Sequence, residues 1–398
     1  MNCPFATAPA VASAPLAGPL TAAYPRAINQ RYRSIEDTAL VRQILAKATD
    51  FTPANALSTA VTLSPAALRI LAAARFALPP VLASATGAAH MRVRRVVAGF
   101  FSPGKVRGQQ EVILRRVAEL CEPLRGAYLA GENVDLAETI AAIIPAEIMH
   151  NLTGIPVPPT DLLKRWSQDS LELFWGWPDE PRQLVLAASA AEFFSWLVKA
   201  VNKSVQRNDG NLYAALHEAG IEKPKIISLG YFLAIAGQET TTMLIQSALF
   251  SALRDGHWEP CADPETDERT AGKVVKQVLA TASSVPTWRR ITATDVVVNG
   301  EPFGSGEELV LRLSGGIQGS AFDDSLAFGF GIHRCLGAGL ARMETELVLK
   351  ATARALPGIE LVDRDPRWNH LLSFQAPHEV RTRATGHEGK SVYVGEPR

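Results

Sequence analysis

The chain has 398 residues, and 40 Lys+Arg balance 40 Asp+Glu, so its formal net charge is zero. That neutrality gives no bulk electrostatic case for nucleic acid or an acidic membrane as partner. Its four cysteines, Cys3, Cys121, Cys261 and Cys335, are too scattered for a disulfide scaffold or a spaced zinc site, and 47% hydrophobic with 20% charged residues marks a globular chain.

Residues 1–25 are rich in Ala and Pro and read as a loose lead-in to one domain over 26–398. No basic region precedes the small apolar residues of the N-terminus, so no signal peptide is expected. A membrane-spanning helix needs about 20 apolar residues in a row. The strongest candidate, 55–89, is interrupted by Arg69, Arg75 and Pro79-Pro80. The expectation is a soluble cytoplasmic protein, monomeric, with free thiols unless one serves chemistry. Apolar residues recur at helical spacing in 90–101, 109–129, 135–153, 185–204 and 225–254. Turn-forming clusters separate them, at Gly154–Pro159 and Asn208-Asp209-Gly210. Residues 257–271 are polar and read as a loop. Strands are expected at Asp295–Val298 and, past a turn at Asn299-Gly300, at Glu308–Leu313. A last helix is expected over 338–355. The sum is a mainly α chain with a minor β part and no internal repeat.

The most informative stretch is Phe328-Gly329-Phe330-Gly331-Ile332-His333-Arg334-Cys335-Leu336-Gly337. Glycines before and after the cysteine permit tight turns that aim backbone N–H groups at the sulfur. The helix that follows puts its positive end there, favouring thiolate over thiol. A thiolate of this kind is a soft, electron-rich ligand suited to haem iron. A buried structural cysteine is the ordinary alternative, and a dinucleotide fingerprint would need a glycine where Arg334 stands. Neither accounts for Phe, three glycines, His and Cys together. With Leu340-Ala341-Arg342, the stretch resembles the cysteine-ligand loop of the cytochrome P450 family, the haem-thiolate monooxygenases. The resemblance implies Cys335 as axial iron ligand, Phe328 packed near the sulfur, His333 on a haem propionate, and Gly329 and Gly337 against the cofactor. It also implies the family fold, a triangular helical prism. There the haem lies between a long oxygen-binding helix and the cysteine-ligand helix.

A second match lies in Ala236-Gly237-Gln238-Glu239-Thr240-Thr241, midway along the apolar segment 225–254 that Pro224 opens. Gly237 costs a helix about 1 kcal/mol. Glu239 puts a carboxylate in an apolar run, and consecutive threonines are poor helix formers. Several local rules broken at one spot point to a site, although a helix with one polar stripe remains the plain alternative. Beside the cysteine loop, the segment resembles the family's oxygen-binding helix. That resemblance gives Ala236 and Gly237 a place over the haem, with Gly237 leaving room for dioxygen. It makes Thr240 the residue that assists protonation and Glu239 the proton relay.

His90 and Arg94 share a helix face, alone no more than a solvated basic patch. In context, with Phe100-Phe101-Ser102-Pro103, they resemble the family's propionate-binding pair, and Arg290 resembles the third partner, with Arg289 as the alternative register. Other features depart from the family. The usual Glu-x-x-Arg positions hold Gln277 and Ala280, and the Glu-x-x-Arg found, Glu122–Arg125, lies elsewhere. Segment 314–327 is short. A buried Glu without its Arg partners would be destabilising, so the network is expected to disappear as a unit.

For substrate, the resemblance points to the region 74–89, Trp175, Trp177, Ala234, Val285, Thr287, Trp288, Leu372 and Phe374. Trp175 and Trp177 equally suit plain packing under a loop. The resemblance implies oxidation of a small apolar metabolite, with haem b, dioxygen, and NAD(P)H electrons delivered by a ferredoxin and its reductase. Two alternatives stay open. One is an atypical oxidation (coupling, desaturation, rearrangement or peroxide-driven chemistry). The other is a non-catalytic haem-binding partner protein, suggested by the missing Glu-x-x-Arg.

Overall fold

The computed structural model describes residues 24–386 apart from 315–316 and 319–320. Most of the Ala/Pro-rich lead-in, with Cys3, lies outside the described residues, as does part of 314–327. Helix dominates, and the β part is small. A four-stranded sheet runs in the order Arg33–Ile35, Glu308–Arg312, Thr287–Thr292, Phe51–Thr52. Its first pair is parallel and the other two antiparallel. A three-stranded sheet joins Ile359–Leu361, Arg381–Ala384 and Val134–Asp135. Three two-stranded pairs complete the β part, one of them Val296–Val298 with Glu301–Phe303 around the turn at Asn299-Gly300.

Two large apolar cores flank a central cavity. One gathers the helices Gln110–Leu129, Thr240–Arg254, Asp267–Thr281 and Ala338–Ala355 through residues such as Ile113, Ile245, Val275 and Val348. The other gathers Thr160–Trp175, Glu180–Arg207 and Lys223–Ala234 through Trp166, Phe193 and Tyr231. Glu180–Arg207 is the one described helix long and apolar enough to cross a bilayer. Half of its most apolar window is buried inside the fold, where Leu186, Phe193, Leu197 and Val201 pack in the second core.

Three expectations need correction. Residues 257–271 are not a loop. Trp258–Ala262 is a short helix with Trp258 and Cys261 buried, and Asp267–Thr281 opens with acidic Asp267 and Glu268 in its first turn. Acids there complement the helix dipole, so polarity marked a helix start. Residues 135–153 are not one helix. A strand at Val134–Asp135 and a π turn at Ala137–Ala141 precede the Ile144–Thr153 helix. The apolar segment 225–254 is likewise divided, into Lys223–Ala234, a π turn at Ile235–Glu239, and Thr240–Arg254. The helix Thr160–Trp175, which periodicity did not single out, buries Leu163, Trp166, Ser167, Leu171 and Phe174.

Candidate functional site

The central cavity opens onto about 1420 Å³ of space not filled by protein atoms. Its wall includes Cys335 and Phe328 from the glycine-rich loop, and Ala236, Gly237 and Thr240 from the interrupted helix. Cys335 is accessible from this cavity. Its loop is a chain of turns: Gly329 and Gly331 take φ of +70° and +68°. The Cys335 N–H donates to the Phe328 carbonyl at 2.9 Å. A side chain on Gly331 would also stand 3.1 Å from the Leu45 carbonyl oxygen, so only glycine suits that corner. Burial raises the Cys335 thiol pKa, while the Gly337 N–H and the charges of Arg94 and Arg334 oppose that. Those three influences favour the thiolate once a cation is present to share its charge.

The loop is braced from outside. Arg342 pairs with Asp324 at 2.6 Å and lies over the Phe328 ring at 5.1 Å. Arg42 donates to Ser325 and lies 4.8 Å from the Phe330 ring centre.

His90, Arg94, Arg290 and His333 converge on the same cavity. The two imidazoles are 4.9 Å apart. Both ring nitrogens of His90, Nδ1 of His333 and Nε of Arg290 are buried without a hydrogen-bond partner. Burial lowers the His333 pKa to about 4, helped by the charges of Arg290, His90 and Arg94 and opposed by the Ala85 carbonyl. Burial also lowers that of Arg290 to about 10. A cluster of donors and positive charge with unspent hydrogen bonds fits an anion. A porphyrin carrying two carboxylates, set over a thiolate, matches this donor set on both sides. The two arginines of the strand Thr287–Thr292 face opposite ways. Arg290 faces the cavity, whereas Arg289 turns away to the carbonyls of Ser58 and Ala56.

On the interrupted helix, Thr240 donates to the Ala236 carbonyl at 2.9 Å. Glu239 does not line the cavity. It is 2% exposed and held by Lys164, whose ammonium lies 2.9 Å from its carboxylate and also donates to Gln238 and Thr242. Lys164 was not anticipated. Its signal was legible, because it shares the 3- and 4-residue spacing of Ser167, Leu171 and Phe174 on the buried face of its helix. Gly237 was expected to leave room for dioxygen. It lines the cavity, and a Cβ there would stand 2.7 Å from the Met149 methyl, the far end of a flexible side chain that would have to shift.

Of the substrate candidates, Val285, Trp288 and Phe374 line the cavity, joined by Leu82, Phe232 and Ser284. Trp175, Thr287 and Leu372 form a second layer and do not reach it. Trp175 packs edge-on to Phe374 at 4.8 Å and beside Trp288, and Thr287 donates to the Leu372 carbonyl. Trp177 lies farther out, edge-on to Tyr24 and His370. Ala234 faces a separate small chamber.

At the departed positions, Ala280 is fully buried, and Gln277 lies 3.4 Å from Asp255 at the end of the Thr240–Arg254 helix. Arg254 and Ser251 complete that cluster. Glu122–Arg125 is an exposed surface pair.

No family model matches the chain. Curated relatives do. The biotin biosynthesis cytochrome P450 of Bacillus subtilis (strain 168) is 25% identical, over 73% of this chain and 76% of that one. A steroid C26-monooxygenase of Mycolicibacterium smegmatis is 27% identical, over 70% and 67%. Among solved structures, cytochrome P450 CREJ in complex with (4-ethylphenyl) dihydrogen phosphate superposes with a TM-score of 0.82 over 91% of this chain and 93% of that one, at 24% identity. Relatives, fold and motifs agree, and the chain belongs to the cytochrome P450 family, as a monooxygenase whose cofactor is haem b and which uses dioxygen and NAD(P)H-derived electrons passed through redox partners.

Proposed function

We propose that the protein oxidises a small, largely apolar metabolite, by hydroxylation or a related oxidation, in a bacterial biosynthetic pathway. The observation that carries this reading is that Cys335 and Thr240 line one cavity beside which both ring nitrogens of His90, Nδ1 of His333 and Nε of Arg290 are buried without a hydrogen-bond partner. Haem, when bound, supplies the dioxygen activation and the oxidising power.

The chain's own residues supply position and protons. Cys335 would hold the haem iron through its thiolate, steadied by the Gly337 N–H. His90, Arg94, Arg290 and His333 would hold the cofactor's carboxylates. Leu82, Phe232, Val285, Trp288 and Phe374 exclude water and present an apolar, partly aromatic wall. Ser283 and Ser284 are the polar groups beside Val285 and offer an orienting hydrogen bond. Thr240 is the hydroxyl of the interrupted helix bonded to the Ala236 carbonyl beside the cavity, and Glu239 supplies protons from behind it, once Lys164 releases the carboxylate.

Electrons would arrive from a ferredoxin at the cysteine side, where Arg95, Lys105, Arg107 and Arg334 are exposed. We place the protein in the cytoplasm as a monomer.

The reduced protein under carbon monoxide is the test. The expected result is a thiolate-type Soret shift that Cys335→Ser removes; persistence of the shift in that variant overturns the reading.

A further inference from the structure

Two smaller cavities lie in series with the central one. The first spans about 400 Å³ of space not filled by protein atoms, part of it open to solvent, and shares Met149 and Leu233 with the central wall. The second spans about 880 Å³ of such space and shares Ala146 and Val157 with the first. Each neighbouring pair is thus separated by side chains that both line. Val157, at 40% exposed, brings the series to the surface.

The walls differ in chemistry. The outer basin carries Arg115, Arg116, Glu119, Glu147 and His150. The middle chamber has no charged side chain among the described residues that line it, and its polar side chains are the Gln238 amide, the Tyr213 hydroxyl and the Trp196 indole in an otherwise apolar wall. That amide is already spent. Its nitrogen shares its two N–H groups among Ser167, the Ala234 carbonyl and Glu239, all within 3.0 Å, and its oxygen accepts from Lys164. Water in such a chamber finds few partners, and apolar cavities of this kind stay dry and take up small apolar molecules such as xenon.

The inner boundary is as telling. Met149 is unbranched, with three rotatable bonds and a soft terminus. Its methyl rests against the backbone of Gly237 in the π turn, 2.7 Å from where a Cβ would stand. The chamber therefore ends at the turn of the oxygen helix that precedes Thr240.

We propose that this series is the route by which dioxygen reaches the central cavity, with Met149 as its inner gate. The proposal rests on the reading that dioxygen is consumed in that cavity. Dioxygen is small and apolar, which suits the middle chamber, whereas protons and water are served by the polar Lys164–Glu239 side of the same turn.

The experiment has two arms. Crystals of the full chain under xenon pressure are expected to show density between Met149, Leu163, Phe193 and Leu233. In the reduced, haem-loaded protein, Val157→Trp and Met149→Trp are expected to slow carbon monoxide and dioxygen association about tenfold, and Met149→Ala to speed it. The spectrum of the carbon monoxide complex should stay unchanged. Val157 is half-exposed, so its Trp variant tests the outer boundary without disturbing the core. Ordered water in place of xenon, or parental association rates in both Trp variants, overturns the route. If the parent lacks the thiolate-type spectrum, the functional reading fails first. Xenon density would then mark a gas chamber with no dioxygen chemistry behind it, and the route would fall with the reading.

Discussion

The two walls of the central cavity have been treated differently. On the oxygen-helix side every expensive residue remains: Gly237 inside a helical segment, Glu239 buried, Thr240 bonded to the Ala236 carbonyl. On the supporting side behind the cysteine loop, the family's buried charge network is gone. Ala280 fills its place with a methyl, Gln277 reaches Asp255 only at 3.4 Å, and Arg342–Asp324 and Arg42–Ser325 brace the loop from nearer the surface. Support can be rebuilt from many combinations of packing and ion pairs, because only the final position of the loop matters. Groups that handle protons and gas cannot be exchanged so freely, because each must sit at a stated atom.

The largest effect expected on the first side comes from Lys164→Met. Stripping a buried carboxylate of its cation costs about 3–5 kcal/mol, and thermal unfolding should show it. Adding Glu239→Gln should recover most of the loss; if the double variant is no more stable than the single, the pair is not the source.

Next is Glu344, the unpaired acid of the second side. It is 1% exposed, its Oε1 lacks a partner, and burial raises its pKa to about 8. A raised carboxyl binds its proton more tightly folded than unfolded. Its stability contribution is therefore complete below about pH 4.5, is lost as pH rises toward 8, and is flat above that. Glu344→Gln should stabilise by up to about 4 kcal/mol at pH 8 and by almost nothing at pH 4.5. A gain independent of pH would refute the assignment.

Thr240→Ala should keep haem content and lower coupled turnover about a hundredfold, with reducing equivalents appearing as peroxide. Unchanged coupling would remove Thr240 from the proton path. The smallest effect is Gln277→Leu, which removes a long hydrogen bond worth about 0.5–1 kcal/mol. A larger loss would mean that the second side leans on Asp255 more than its geometry suggests.

The sequence made the helices with clean apolar spacing legible, along with the cysteine loop and the missing charges at Gln277 and Ala280. It misread 257–271, because acids in a first helical turn look like loop polarity. It ran 135–153 and 225–254 as continuous helices, because a π turn changes hydrogen bonding without breaking the apolar pattern. The cationic cluster was reachable through motifs. The layering of Trp175 behind Trp288 and Phe374 was not, since adjacent aromatics give no hint of which one meets the cavity. Nor was the Met149 contact on Gly237, which joins residues 88 positions apart.

The strand Thr287–Thr292 carries one more consequence. Alternate residues of a strand face opposite ways, so Trp288 and Arg290 both face the cavity while Thr287 and Arg289 face the body of the protein. On the proposed reading, recognition of the substrate and retention of the cofactor thus share a single register. A one-residue deletion upstream in that strand would turn both side chains outward together and send Arg289 inward. If Trp288 meets the substrate as proposed, preference would drift by exchanging the residue at 288, but not by sliding the strand that holds it.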